Sequence, residues 1–431
     1  MQKMKNGKKV LSVCLSLAMA AGMLSTSAFA SWNVYGGSNN HNAVVTEAPT
    51  RPDKSGLDSY IQLHCTGSGW DGVDNVPVLQ TVNGTTYAYV LYDGYGASGA
   101  LVAKIRCAEN GGSSIVWTTD PYGTEGTSLN AKSGFQLSTP YLDDKGTPDD
   151  ASDDTLYVGT ISQYDDYEGG EWLTGTGSKV MALTGLDQNK PTVTNVLTGI
   201  NGQINTPITT DGTYLYFGTW PGGSNAGTYY QVKLSDYSVK TFTPDSYGFY
   251  WAGAVSDGTN VYFGSDNGLL YWRSIADFDT TGGVLDLTDV ASDAGNVRST
   301  VMLDDGYLYF TTQGGYLWCC SYDDGLTVEW HKKLGATSTS TPTKVGDRIY
   351  VGYYSGFNAG GVQCVSADGS SVKTVVEGDG FPVQSSIVVM GDGTGTDYLY
   401  FNTNAQKGVG YCYSYDGTTG SQVWGTTGDT Y

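Results

Sequence analysis

The sequence predicts an all-β fold, a β-propeller of four-stranded antiparallel blades, on three observations. A tyrosine-centred strand recurs seven times. The same companion strands and turns flank most copies. Outside the N-terminus, no stretch of ten or more residues carries the 3.6-residue apolar period of a helix. Copies roughly 40 to 70 residues apart mark a radial or stacked array. Four antiparallel strands per copy make that array a propeller.

The first copy is degenerate, Tyr87-Ala88-Tyr89-Val90. The others are Leu156-Tyr157-Val158-Gly159, Leu215-Tyr216-Phe217-Gly218, Val261-Tyr262-Phe263-Gly264, Leu308-Tyr309-Phe310-Thr311, Ile349-Tyr350-Val351-Gly352 and Leu399-Tyr400-Phe401-Asn402. Each alternates apolar and polar residues, as a half-buried strand does. A strand upstream often opens with Thr-Pro, at Thr139-Pro140, Thr206-Pro207 and Thr341-Pro342. Asp-Gly pairs such as Asp211-Gly212, Asp257-Gly258 and Asp305-Gly306 then form the hairpin turn, because they tolerate positive φ. A third strand follows, as at Gly315-Tyr316-Leu317-Trp318-Cys319, and a fourth often ends in Trp: Trp117, Trp330, Trp424. Seven blades are recognisable and the pattern leaves room for an eighth. The segment Ile61-Gln62-Leu63-His64 is expected to pair with the C-terminal blade and close the ring.

The frame of Thr-Pro, Tyr-Val-Gly, an Ala-Leu strand and Asp-x-x-x-Gly-x-x-x-Trp, as in Asp416 to Gly420 to Trp424, resembles the repeat of quinoprotein-type (PQQ-like) propellers. The stretch Trp32 to Asn42 is similar to that family's lead-in, so the resemblance covers about residues 31–431. It implies the fold and leaves the activity open, since one fold hosts unrelated functions. Quinone-dependent alcohol dehydrogenases of this fold are similar in having a vicinal cysteine pair, here Cys319-Cys320. The pair lies within a strand, where neighbouring side chains face opposite ways, and is read as structural. The family's calcium-ligand and catalytic-base motifs have no match, so neither PQQ nor Ca²⁺ is expected as a cofactor.

Residues 1–30 read as a secretory signal peptide. Lys3, Lys5, Lys8 and Lys9 precede an apolar run from Val10 to Met23, and Ala28-Phe29-Ala30 is a small-x-small cleavage site. Residues 31–60 form a lead-in and 61–431 the propeller. The apolar run is too short to span a bilayer and no later segment is apolar enough, so no transmembrane segment is expected. Without the signal lysines, 18 basic residues face 43 acidic ones, a formal charge of −25. That excludes nucleic acid and anionic membranes as partners, which need basic patches. Cys319, Cys364 and Cys412 occupy in three successive blades the slot that Ala182 holds in the second, so they read as small buried residues rather than disulfides.

The acidic run from Asp143 to Asp154 offers Asp149, Asp150, Asp153 and Asp154 as Ca²⁺ ligands. The order is not that of an EF-hand, and a solvated acidic loop is the favoured reading. The few mature arginines, Arg298 among them, sit in no evident site context. No catalytic constellation appears. Sorting the loops by end gives an asymmetry. Asp-Gly turns collect at one end. Aromatics collect at the other: Tyr164, Tyr167, Trp172, Trp220, Tyr250, Trp251, Tyr353 and Tyr354. Such residues suit sugar or protein surfaces. The sequence therefore points to a secreted or cell-surface propeller that binds a surface protein or glycan without catalysis. A PQQ-dependent dehydrogenase is the alternative. A lipoprotein scaffold of outer-membrane assembly is the third, lacking a lipidation cysteine at the mature N-terminus.

Overall fold

The computed structural model describes residues 9–10, 32–45, 60–61, 63, 73, 75–93, 100–108, 112–120, 126–129, 137–160, 164–168, 171–174, 176–323, 325–405 and 408–425. The signal segment apart from 9–10, His64, Cys65 and Tyr95 lie outside them. Seven four-stranded antiparallel blades form a ring. Blade 1 comprises Val78–Val82, Thr85–Asp93, Ala100–Cys107 and Ser114–Thr118. Blade 2 comprises Tyr141–Asp143, Thr155–Thr160, Thr176–Thr184 and Thr192–Asn201. The blades that follow open at Thr209, Val255, Met302, Thr343 and Val388, and blade 7 ends at Gly425. First strands of neighbouring blades lie against one another, so strand one faces the axis. Among the described residues, no helix is long and apolar enough to cross a membrane.

Most of the apolar cores draw on two adjacent blades, while blade 1 and blade 7 each also form one with residues from outside the blades. Leu142, Leu156 and Val158 of blade 2 pack on Tyr89, Leu91 and Val102 of blade 1. The joint between blades 6 and 7 repeats this with Tyr350, Val362, Val389, Leu399 and Phe401. The signature tyrosine is buried in every blade. Its cross-strand neighbour is Ala182 in blade 2, and Cys319, Cys364 and Cys412 in blades 5, 6 and 7. The cysteines thus fill the slot expected of them, as small buried residues. The glycine that ends several signature strands makes room for the link to the next blade. A Cβ on Gly264 would meet Val297 at 2.2 Å, and one on Gly352 would meet Val383 at 2.5 Å.

The Asp-Gly turns are braced from within. One oxygen of Asp211 accepts the amides of Thr213 and Tyr214 at 2.8 Å, and the other accepts the hydroxyl of Tyr216 at 2.7 Å. Asp257 repeats the device with Thr259, Asn260 and Tyr262.

A belt of hydroxyls runs around the axis where strand one begins. The amide of Gly253 donates to Thr300 Oγ1, that of Thr300 to Thr341 Oγ1, and that of Thr341 to Ser386 Oγ, at 3.1–3.2 Å. Val76 likewise donates to Thr139 Oγ1. Strand pairing places Pro207, not Thr206, in the matching slot of blade 3, since Thr209 is opposite Tyr216 as Thr343 is opposite Tyr350. The Thr206-Pro207 dipeptide is therefore one residue out of step with the other two. Thr206 instead exchanges hydrogen bonds with Gly218.

The described part of the lead-in, residues 32–45, lies inside the ring. The carbonyls of Trp32, Asn33, Asn40 and Ala43 accept the amides of Leu79, Leu142, Leu303 and Val389, at 2.8–3.0 Å. These four donors are the second residues of strand one in blades 1, 2, 5 and 7. In blade 6 the side chain of Asn42 does this work, bonding both the amide and the carbonyl of Lys344. Gly36 and Gly37, at φ 71° and 73°, turn the segment back on itself. A Cβ on Gly37 would lie 2.5 Å from the Trp32 ring. The Tyr35 hydroxyl reaches Thr341 and Ser386 of the belt, at 3.0 and 2.7 Å. His41 contacts the Tyr35 carbonyl at 2.9 Å and the Ala254 carbonyl at 2.8 Å. Tyr35 and His41 together therefore span the axis from blade 4 to blades 6 and 7.

One expectation is corrected. Val44–Val45, not Ile61 to His64, joins the C-terminal blade, running parallel to Val388–Met390. The inner edge of that blade leaves a backbone row unpaired, and the lead-in already lies beside it. Tyr60–Ile61 pairs instead with Lys9–Val10, and Leu63 packs on blade 1.

Candidate functional site

The end that carries the links and the loops between strands two and three holds a cluster built from blades 3 to 5. Trp220 enters from the loop after Gly218. A reciprocal backbone pair with Gln203, 2.9 Å each way, fixes it. Its ring meets Tyr250 edge-on at 5.1 Å, and its indole N–H donates to Asp266 Oδ2 at 3.3 Å. Tyr250 and Trp251 come from the link into blade 4, with centroids 4.8 Å apart. Tyr247 and Trp251 adopt φ of 64° and 61°. Between them Gly248 passes so close to Thr219 and Pro221 that a Cβ would approach both at 3.0 Å. The turn is thus over-determined by its surroundings.

Beneath the rings sits an ion pair. Arg298, from the link into blade 5, donates through Nε and Nη2 to both oxygens of Asp266, at 2.7 Å each. Its guanidinium carbon stands 4.3 Å from the Tyr250 ring centroid. Asp266 is buried and Arg298 mostly so. Burial works against the Arg298 charge, yet the Asp266 carboxylate outweighs it and holds the pKa above the ordinary value. Arg298 and Asp266 were not legible as site residues. Their pairing spans 32 residues, from the loop after Ser265 to the link into blade 5, and neither lies in a motif.

Trp220, Tyr250 and Trp251 are thus brought together, each half-buried. Tyr354 is half-buried on blade 6, its amide bonded to the Thr337 carbonyl, and Phe357 beside it is exposed. Tyr353 differs: it is buried over Gly335, with its hydroxyl on Glu377 at 3.2 Å. Successive strand residues face opposite ways, so only one of the adjacent pair can join the outer rim. Tyr164–Glu168 and Glu171–Thr174 form a separate antiparallel hairpin with Tyr167 opposite Trp172. The side chains of Tyr164, Tyr167 and Trp172 lie outside the described residues.

The acidic run is occupied by its own turns. Asp150 accepts the amide and hydroxyl of Ser152, Asp153 the hydroxyl of Thr147, and Asp149 the amide of Asn83. Asp154 is fully buried between blades 1 and 2, where Gln80 donates to its Oδ2 and its Oδ1 has no partner. Burial first, then the nearby Asp153, Asp144 and Asp150, push its carboxyl up to about 6. Among the described residues, no group of three His, Cys, Asp or Glu converges to hold a metal ion. Cys319 and Cys320 enter cores on opposite faces of blade 5. Burial pushes the Cys319 thiol up to about 12.

No family model and no curated protein matches the sequence. Solved structures do match. A europium-containing methanol dehydrogenase aligns over 92% of this chain and 85% of its own, at a TM-score of 0.59 and 12% identity. The chain shares a β-propeller fold with it. At that identity the likeness speaks for the fold alone. Two further solved structures align at lower scores. BamB from Moraxella catarrhalis gives a TM-score of 0.48 and 15% identity, over 81% of this chain and 87% of that one. Sqt1 of Saccharomyces cerevisiae gives 0.47 and 11%, over 85% and 88%.

Proposed function

We propose that this propeller is an exported, non-catalytic binding module whose aromatic end engages a surface protein or glycan. The observation that carries the reading is the Trp220–Tyr250–Trp251 cluster, locked onto the Asp266–Arg298 pair. Aromatic anchors fixed before contact lose little freedom on binding. Their half-exposed rings, with hydrogen-bonding groups alongside, suit sugar faces and protein side chains alike. The reading of residues 1–30 as a signal peptide supports export. The test is to screen the mature chain against a glycan panel and a cell-surface extract. Trp220→Ala and Trp251→Ala should each weaken the interaction at least about tenfold, roughly 1.4 kcal/mol. Asp347→Asn, at the opposite end, should leave it unchanged. Quinone and Ca²⁺ added with an alcohol and a redox dye give the counter-test. Robust dye reduction would replace binding with dehydrogenase chemistry.

A further inference from the structure

We propose that the inner rim of the ring is a peptide-binding site, that its ligand is the chain's own segment Trp32–Val45, and that this bound peptide fastens blade 7 to blade 1. The joint between the last and first blades lacks the usual means of closure. Blade 1 takes all four of its strands from residues 78–118, and blade 7 takes its four antiparallel ones from 388–425, so neither lends a strand to the other. The hydroxyl belt does not carry across it, because Val76, which matches Ser386 in strand position, has no side-chain oxygen to accept with.

The segment supplies what is missing. Trp32 and Val45, its two ends, each pack against the core of blade 1 and the core that Ala43 shares with blade 7. Its backbone carbonyls take up the amides that strand one leaves unpaired, blade by blade. Val44–Val45 then adds a short parallel strand to the inner edge of blade 7. This is recognition by strand addition, in which main-chain bonds give affinity and side-chain pockets give selectivity. The selective contacts are those of Tyr35 on the belt, His41 on Ala254 and Asn42 on Lys344. The Gly36-Gly37 turn is required to bring Tyr35 and His41 together. The segment carries no charged residue in a strongly acidic chain. The ligand class is therefore an uncharged peptide of about this length with Tyr, Gly-Gly, His and Asn in this order.

The experiment uses the full mature chain with a protease site inserted in the connection between Val45 and Tyr60. After cleavage, the N-terminal fragment should stay with the ring on native gel filtration. Stripping it in mild denaturant should lower the Tm by at least about 5 °C, a shift of a few kcal/mol for a chain of this size. A synthetic peptide spanning Trp32–Val45 should restore the Tm. The same peptide with Tyr35→Phe and Asn42→Ala should bind at least tenfold more weakly. Loss of the fragment with no fall in Tm overturns the proposal, and so does restoration by a scrambled peptide. If the cleaved chain aggregates, the uncut Tyr35→Phe/Asn42→Ala variant decides. A lowered Tm supports the fastening role, and an unchanged Tm refutes it.

Discussion

Asp257 is bonded through both carboxylate oxygens, one closing its own turn and one holding the signature tyrosine of its blade. Removing either partner strands the other in a half-buried setting, where an unmet polar group costs about 1–3 kcal/mol. Asp257→Ala and Tyr262→Phe should each destabilise the protein by about 1–2 kcal/mol, with the double variant costing less than the sum; urea unfolding in a double-mutant cycle reads this directly. Asp154 sets a different kind of dependence. Its folded pKa of about 6 lies above the ordinary 3.8, so the folded state holds a proton that the unfolded chain has released. Stability from this group is present below about pH 4 and is lost as pH rises to about 6. Asp154→Asn keeps an acceptor for Gln80 and cannot ionise. It should flatten that slope and raise stability at pH 7.5 by on the order of 1 kcal/mol or more. The neighbouring Lys104, buried with its ammonium on the Leu186 carbonyl and held below its ordinary pKa by that burial, loses the opposing charge of Asp154 in this variant and keeps that of Asp187.

At the scale of the element, the hydroxyl belt makes a sharp claim. Thr341 Oγ1 accepts from Thr300 and bonds Tyr35, so Thr341→Val keeps the shape and removes an acceptor that two elements use. A loss of about 1–3 kcal/mol is expected in denaturant unfolding, whereas Thr206→Val should disturb only its own blade. The strands were legible because the signature recurs and all copies but the first end in glycine or a small polar residue. The turns were legible because Asp-Gly chemistry is local. The cysteine slots followed from copy alignment, and pairing opposite Tyr309, Tyr350 and Tyr400 bears them out. The frame of Thr206-Pro207 misled because a dipeptide can slide by one residue, while pairing with the next strand fixes the register. Of the rim residues, Trp220, Tyr250 and Trp251 could be placed at one end by loop order. That Tyr353 turns inward depended on the strand running past Gly352 through Ser355.

On the scale of the whole molecule, what the sequence hid is long-range. Tyr35 meets its partners 306 and 351 residues away, and His41 reaches one 213 residues on. No local pattern announces such contacts. The formal charge of −25 expected for the mature chain gives a global prediction. Self-repulsion opposes compaction and salt screens it over about 10 Å at 0.1 M. The Tm should therefore rise between 10 mM and 300 mM NaCl at neutral pH; a fall would mean that specific ion pairs such as Arg348–Asp397 outweigh the repulsion. The gap in the belt between blades 3 and 4 has a consequence for descent. Pro207 can give no proton, and Gly253 has no hydroxyl to take one. A hydroxyl at residue 253 would find no donor, and its Cβ would press on Thr300. An amide restored at 207 would find no acceptor in its neighbour. Each change is without reward until the other has happened. If the blades arose by copying one ancestral unit, this joint is a ratchet: two successive losses, each making the other harder to undo, would leave a lasting scar where blade 3 meets blade 4.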